Sequence, residues 1–420
     1  MCAPIVAGDN STPFQPACCL FIARGKKVSE KRAPFFFEAR SAPVSGLKSS
    51  IENPWVCDIV TDEVLARETG VPLPSHAQSD QAFCTPHALR SWARAFLPAG
   101  GWSGPLRHVR VRQNGQLQAL IPFARQQVAR FSINSLAGYY WPFRSLCLLA
   151  QPGAGMGLAD AVGRALANTP PGAVLRFGPI SGRDEVMLAM LRQLMAAGWR
   201  HRAKATGAVF QLDLSLGLDA LKQRFSGSLL KHIEYSRRRL GKTVGEVRCE
   251  RHVLSGEDQP LLDILAGIES RSWLARDGGD LKFIGPANQL FWTQMGREPD
   301  PHAQAVCWVL HCGDQPVAFS AHLETDTALY VLANSYDEQW KSHSPGSILT
   351  YEVLRDAIVR HKRLFDWGQG DSGYKQRWGA QEGALLYDVM MFRPGLLGGL
   401  LALAADKALR DWDVRLDALP

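Results

Sequence analysis

The chain has 420 residues, enough for two domains with their own cores. Hydrophobic residues make up 46% and charged residues 21%, a globular balance that excludes a fibrous or wholly disordered chain. The formal net charge of +7 favours anionic partners such as phosphates, but the bias is too small to define a nucleic-acid-binding protein.

Nine cysteines are present, none in a CxxC pair and none beside a His cluster at zinc spacing. No metal is expected, and scattered thiols fit a reduced, cytoplasmic protein. No apolar run approaches the roughly 20 residues that span a bilayer, so no membrane span is expected. Leu396 to Ala405 is apolar but short. It reads as the start of a packed helix, or alternatively as a contact that makes the protein peripheral to the membrane.

Residues 1–80 lack periodicity, are rich in Pro, Ser and Ala, and are expected to be irregular; Phe35-Phe36-Phe37 is their one candidate docking motif. Thr85-Pro86 marks a helix start, with the helix running to Phe96. A hairpin follows: His108 to Arg112, the turn Asn114-Gly115, and Leu117 to Phe123. Helical patterns cover Leu158 to Ala167 and Glu185 to Ala197, and strands fit Ala173 to Phe177 and Ala208 to Leu212.

The second half repeats this order. Leu216 to Leu240 and Pro260 to Trp273 read as helices. Val306 to His311, the turn Gly313-Asp314 and Pro316 to Glu324 form a second hairpin, followed by a strand from Ala328 to Tyr336. Arg112 to Ala119 can be laid on His311 to Ala318 with the turns aligned. The boundaries implied are an irregular segment 1–80, an N-terminal half 81–215, a C-terminal half 216–395 and a helical tail 396–420.

Chemistry concentrates between Ala328 and Trp378. A strand ends at Asn334-Ser335-Tyr336-Asp337, and a polar loop leads through Lys341 and Ser344-Pro345-Gly346-Ser347 into a helix that ends near His361. A strand, a Gly/Ser-containing loop and a helix N-terminus can cradle phosphate with unpaired N–H groups. The same residues also fit a plain helix start capped by Ser344. Next come a short strand from Arg363 to Trp367, the loop from Gly368 to Gly373, and Tyr374-Lys375-Gln376-Arg377-Trp378. Lys231, Tyr235, Arg238 and Lys242 recur at helical spacing, as a cationic stripe that is either a solvated face or an acceptor groove.

The succession Gly313 to Ala318, Ser335-Tyr336-Asp337, Ser344-Pro345-Gly346, Phe365 to Gly370, Tyr374-Lys375 and Trp378 resembles one family. This is the BioF2-like, or CelD/BcsL-type, acetyltransferase domain of the GNAT superfamily, related to the FemAB peptidyltransferases. The resemblance is best over about residues 225–380. It implies an α/β fold of tandem GNAT-like halves, each a mixed, mostly antiparallel central sheet flanked by helices. Two such sheets would meet near residue 215. It further implies acetyl-CoA or another acyl-CoA as co-substrate, with its pyrophosphate on the loop from Lys341 to Ser347. Ser335, Tyr336, Lys341, Ser344, Gly346, Ser347 and Gly370 are then the cofactor-binding candidates.

Tyr374, in the helix after the strand, resembles the GNAT tyrosine that protonates the leaving thiolate; a core aromatic with its hydroxyl tied off is the alternative. Lys375 would steady a phosphate or oxyanion, or be a surface lysine. Asp366 would be a base or a turn former. His322 and Glu324 share a strand face and could relay a proton, or be half-exposed positions. Lys231, Tyr235, Arg238, Lys242 and Trp378 are the candidates for the acceptor, a small molecule or saccharide. The implied activity is N- or O-acyl transfer in envelope or polysaccharide synthesis. This sequence departs from the usual glycine-rich GNAT loop, since Gly346 stands alone there. Two other readings stay open: a FemAB-like, aminoacyl-tRNA-dependent transferase, which would make tRNA a partner, and a non-catalytic scaffold binding an anionic partner, which that departure supports.

Overall fold

The computed structural model describes residues 55–61, 85–99, 101–128, 131–138, 149–150, 155–297, 303–370, 373–406 and 408–416. Phe35-Phe36-Phe37 and Cys2, Cys18, Cys19, Cys84 and Cys147 lie outside them.

Among the described residues, thirteen strands form one mixed sheet flanked by helices. In the N-terminal half these are β1 (Trp55–Thr61), β2 (Arg107–Gln113), β3 (Gln116–Val128), β4 (Phe131–Leu136), β5 (Leu149–Ala150), β6 (Val174–Ser181) and β7 (Arg200–Asp213). In the C-terminal half they are β8 (Val247–Val253), β9 (Gln304–Cys312), β10 (Gln315–Glu324), β11 (Ala328–Tyr336), β12 (Leu364–Gln369) and β13 (Gln381–Phe392). The helices are α1 (Pro86–Phe96), α2 (Gly155–Asn168), α3 (Glu185–Ala196), α4 (Gly217–Arg224), α5 (Leu229–Val244), α6 (Gln259–Ser270), α7 (Trp273–Arg276), α8 (Pro286–Arg297), α9 (Pro345–Val359) and α10 (Leu396–Asp406).

The two halves repeat in register. Gln113 pairs with Gln116 as Cys312 pairs with Gln315, and each hairpin carries a bulge at the same place, on Gln118 and on Val317. β1 runs antiparallel to β2 from Trp55↔Gln113 to Thr61↔Arg107, as β8 runs along β9 from Val247↔Cys312 to Val253↔Val306. Ala124 faces Ser135, which faces Arg176 across a parallel pair; Leu323 faces Tyr330, which faces Asp366 in the same way. A helix, α2 or α9, makes each parallel crossover. The tandem layout expected from the hairpins therefore extends over the strands on either side of them.

Two expectations are corrected. The sheets do not meet as separate units near residue 215: β13 follows β12 in the chain but lies between β6 and β7, while β7 pairs with β12. Each half thus ends against a strand contributed from the other side, and the edges that would have separated them are paired. Within 1–80, Trp55–Thr61 is ordered as an edge strand. The half-buried side chains of Trp55, Cys57 and Ile59 pack on the core formed by β2, β3, α2 and α3.

Packing also crosses the midpoint. Ala88, Leu89, Trp92 and Ala95 of α1 share a core with Phe291, Trp292 and Met295 of α8, and His87 Nε2 lies 3.1 Å from the Met295 carbonyl. The helix expected from Leu216 to Leu240 is broken into α4 and α5 at Phe225 to Ser228, where Phe225 turns extended and buries against Trp378. β4, β8, α8 and β13 were not anticipated. The β13 run from Ala384 to Phe392 lies beyond the motifs that drew attention to the C-terminal half.

Candidate functional site

β11 and β12 are paired only from Ala328↔Leu364 to Tyr330↔Asp366. Beyond that point the parallel strands diverge, and the loop leaving β11 and the turn leaving β12 face a common wedge. Asp337 ends β11. Its carboxylate is buried, accepts from the Gln339 amide at 3.1 Å and is held by Arg271. This fixes the 3₁₀ segment Glu338–His343, which presents exposed Lys341.

Ser344 follows in the left-handed conformation, φ 50° and ψ 49°, so the chain turns sharply into α9. Its hydroxyl does not cap the helix; it lies 2.8 Å from Nε2 of His232 on α5. The first turn of α9 therefore has no side-chain cap; Pro345 has no N–H and the Ser347 amide donates to the Ser344 carbonyl at 3.0 Å, so the Gly346 amide and the positive helix end are what it offers an anion. A Cβ on Gly346 would meet the Tyr336 ring at 3.5 Å, an ordinary contact. Ser335 is buried with its hydroxyl unpartnered, and Tyr336 is half-buried beside the loop.

The turn after β12 differs from the helix expected there. Gly370, Gly373 and Gly379 all have positive φ (74°, 84° and 74°), and among the described residues between them a 3₁₀ turn, Gln376–Trp378, forms in place of a helix. The Tyr374 hydroxyl lies 2.9 Å from Thr350 Oγ1 on α9, and Thr350 Oγ1 lies 2.8 Å from the Gly346 carbonyl. Burial pushes the Tyr374 phenol above its ordinary pKa, while the Thr350 hydrogen bond pulls the other way. Trp378, expected in the acceptor groove, is fully buried against Phe225, Trp367 and Tyr374. It backs Tyr374 and does not reach solvent.

Lys375 donates to the carbonyl oxygens of Trp367 (3.1 Å), Gly368 (3.0 Å) and Gln369 (3.0 Å), and its ammonium sits 5.6 Å from the Phe210 ring centre. Lys375 thus clamps the end of β12. Asp366 is buried; it accepts from the Gly368 amide at 2.6 Å and from Gln211 of β7 at 2.8 Å. The Gly370 amide is bound to the Ala208 carbonyl at 2.9 Å. These three residues shape the wedge from behind.

His322 and Glu324 form no relay. His322 is completely buried, neither ring nitrogen has a hydrogen-bond partner, and burial pushes its pKa down to about 3. Burial alone would raise the Glu324 carboxyl, but hydrogen bonds from Arg360 and Arg251 outweigh it and hold the pKa at about 2. Lys362 adds a contact at 3.2 Å. On α5, Lys231, Tyr235, Arg238 and Lys242 are exposed, while Leu229, Ile233, Ser236 and Leu240 are buried. Arg237 reaches Glu352 of α9, so α5 lies along the start of α9. Among the described residues, no group of His, Cys, Asp and Glu could hold a metal, and Cys57, Cys249, Cys307 and Cys312 are free thiols whose pKa values burial raises. Sequence reasoning missed Thr350 and His232. Thr350 sits one helical turn beyond Gly346, a spacing that could have revealed it.

Residues 227–376 match the family described as Acetyltransferase (GNAT) domain. The crystal structure of FemX aligns with a TM-score of 0.54 at 12% identity, over 78% of this chain and 98% of FemX. Residues 227–376 are thus a GNAT domain by this match, and the fold of the chain is like that of FemX. Looser likenesses include a tandem GNAT protein from the clavulanic acid biosynthesis pathway (TM-score 0.43, 14% identity, 81% of this chain and 100% of that one). Another is the C-terminal domain of a putative lysylphosphatidylglycerol synthetase from Agrobacterium fabrum (TM-score 0.43, 16% identity, 69% and 85%). No curated protein matches the chain. The GNAT match covers the wedge, the loop into α9 and Tyr374. Among the described residues, no helix is long and apolar enough to cross a membrane.

Proposed function

We propose that the chain is an acyl-CoA-dependent N- or O-acyltransferase. The observation that carries this reading is the wedge between β11 and β12. On one side it is bounded by the uncapped first turn of α9, on the other by the Tyr374 phenol. The pantetheine arm would enter between the diverging strands, with Lys341, Ser344, Gly346 and Ser347 around its pyrophosphate and Ser335 and Tyr336 along its path. Tyr374 would protonate the departing thiolate. Lys375, Asp366 and Gly370 would hold the turn that carries Tyr374. The acceptor would lie along Lys231, Tyr235, Arg238 and Lys242 of α5. Their cationic face suits a small molecule or saccharide carrying phosphate, such as a nucleotide-sugar-linked acceptor in envelope or polysaccharide synthesis. This makes the half bounded by 216–395 the transfer unit and 81–215 its partner scaffold.

The expected location is cytoplasmic and peripheral to a membrane. Leu396, Leu397, Leu400 and Leu403 of α10 are exposed by 83, 56, 56 and 62%. Arg393 and Arg200 are exposed near the start of α10 and suit an anionic lipid surface. Sedimentation with anionic vesicles, lost in a Leu400→Glu/Leu403→Glu variant, checks this.

The function itself is tested by thermal protection and calorimetry of the full chain with acetyl-CoA and, in parallel, with aminoacyl-tRNA. Saturable acetyl-CoA binding supports the proposal. Binding of aminoacyl-tRNA alone replaces it with the FemAB-like reaction, which the FemX-like fold favours. Binding of neither leaves the scaffold reading.

A further inference from the structure

The hydroxyl of Thr350 has one proton, and two oxygens lie within reach of it: the Gly346 carbonyl at 2.8 Å and the Tyr374 phenol at 2.9 Å. A carbonyl can only accept. While Thr350 donates to Gly346, the short contact with Tyr374 requires the phenol to be the donor, and its proton then points at Thr350. When Thr350 instead turns its proton to the phenol oxygen, the Tyr374 proton is free to point into the wedge. The turn costs little at Gly346, because that carbonyl keeps its helical bond from the Thr350 amide.

We propose that Thr350 is a positioning residue whose hydroxyl rotates from the Gly346 carbonyl to Tyr374, switching the phenol from a tied-off donor into the proton donor for the leaving group. The inference rests on the acyltransferase reading and deepens it. In the step envisaged, the acceptor's nitrogen or oxygen bonds to the acyl carbon and the C–S bond breaks, its electron pair departing on sulfur. The phenol O–H breaks as S–H forms. The phenolate is held by the Thr350 proton, the acceptor's proton leaves to water, and Tyr374 regains a proton from water. Thr350 never contacts the acyl group. It supplies a hydrogen bond to the phenolate at a site where burial disfavours that charge. The same rotor joins the first turn of α9 to the turn bearing Tyr374, so occupancy of the phosphate loop and orientation of the acid are linked through one side chain.

The test uses the full chain with acetyl-CoA as probe and water as acyl acceptor, reading thiol release and, separately, acetyl-CoA affinity. Thr350→Val should lower the rate of thiol release about tenfold or more, with affinity within about twofold, and Thr350→Ser, which keeps the hydroxyl, should restore it. In a Tyr374→Phe background, Thr350→Val should add nothing. Wild-type rates in Thr350→Val, no rescue by Thr350→Ser, or an effect that adds fully to Tyr374→Phe overturns the rotor while leaving the acyltransferase reading intact. A wild-type chain that releases no thiol, or a Tyr374→Phe variant at full rate, overturns the reading of Tyr374 and the rotor with it.

Discussion

The two halves place different chemistry on equivalent positions of one sheet. Counting from the aligned hairpins, Phe123 stands where His322 stands, and Arg176 stands where Asp366 stands, as the last paired residue before the parallel strands part. In the N-terminal half, Arg176 is tied to Asp388 by bonds of 2.5 and 3.1 Å, both side chains being almost fully buried, and Trp412 lies under the guanidinium. The full helix α3 then follows β6. In the C-terminal half, Asp366 accepts from Gln211 and from the Gly368 amide, and among the described residues after β12 a 3₁₀ turn, Gln376–Trp378, stands next to Tyr374. The lesson is that a duplicated sheet can specialise at its splay point. One copy closes it with a charge pair and a helix; the other leaves it lined by a phenol and a helix N-terminus.

The largest expected effect breaks the closed copy. Asp388→Ala removes the carboxylate that pairs with the buried Arg176 charge and should cost about 3–5 kcal/mol in denaturant unfolding. The counterpart Asp366→Ala removes the acceptor of the Gln211 amide and the Gly368 N–H and should cost about 1–3 kcal/mol. If Asp388→Ala leaves stability intact but abolishes acetyl-CoA binding, the division into scaffold and site is wrong.

Phe123 and His322 sharpen the comparison through pH. The buried His322 stays neutral until about pH 3, whereas an unfolded histidine protonates near 6.5. Between those values the unfolded state binds more protons, so stability falls as pH falls. From pH 7.5 to 5 the loss from this one residue is about 2 kcal/mol. Glu324 acts in the same direction but lower, between its ordinary 4.5 and about 2. His322→Leu, which restores the apolar character of the Phe123 position, should remove most of the loss above pH 5 and leave the Glu324 limb. An unchanged slope between pH 7.5 and 5 would place the titrating group elsewhere.

How far the sequence reached follows from what kind of signal each element carries. The hairpins were legible because Asn114-Gly115 and Gly313-Asp314 are local turn chemistry, and the α9 face because Leu349, Val353 and Ala357 recur at helical spacing. The crossing of β13 into the other half was not, since strand order depends on contacts far apart in sequence. Ser344 and Gly346 stand at the start of α9, and Tyr374 bonds Thr350 one turn further along that helix. Lys375, Asp366 and Trp378 have side chains turned inward, and residue type alone does not encode direction. Thr350 was overlooked because a threonine in a helix ordinarily back-bonds to the preceding turn, which it also does here.

Gly346 tests the open copy at its helix end. A methyl group meets the Tyr336 ring at ordinary distance, so Gly346→Ala should bind acetyl-CoA within about twofold of wild type. Gly346→Asp adds a carboxylate to the first turn of α9 and should weaken binding about tenfold or more, roughly 1.4 kcal/mol. The contrast between the two separates charge from size. Equal affinities for both variants in calorimetry would remove the phosphate from this loop.

The smallest expected effect concerns the cationic face of α5. Lys231 and Arg238 are exposed, so each charge acts through solvent and is worth under about 1 kcal/mol. Lys231→Glu and Arg238→Glu should each weaken binding of a nucleotide sugar about two- to fivefold, with acetyl-CoA affinity unchanged. The same reversal at Arg164, an exposed residue of α2 in the N-terminal half, should do nothing. The comparison carries its own control for non-specific attraction, because the chain is positively charged as a whole. Both α5 effects should shrink as ionic strength rises past the point where the Debye length falls below about 8 Å. If the Arg164 variant weakens binding as much as the α5 variants do, the attraction belongs to net charge, and the acceptor does not select the α5 face.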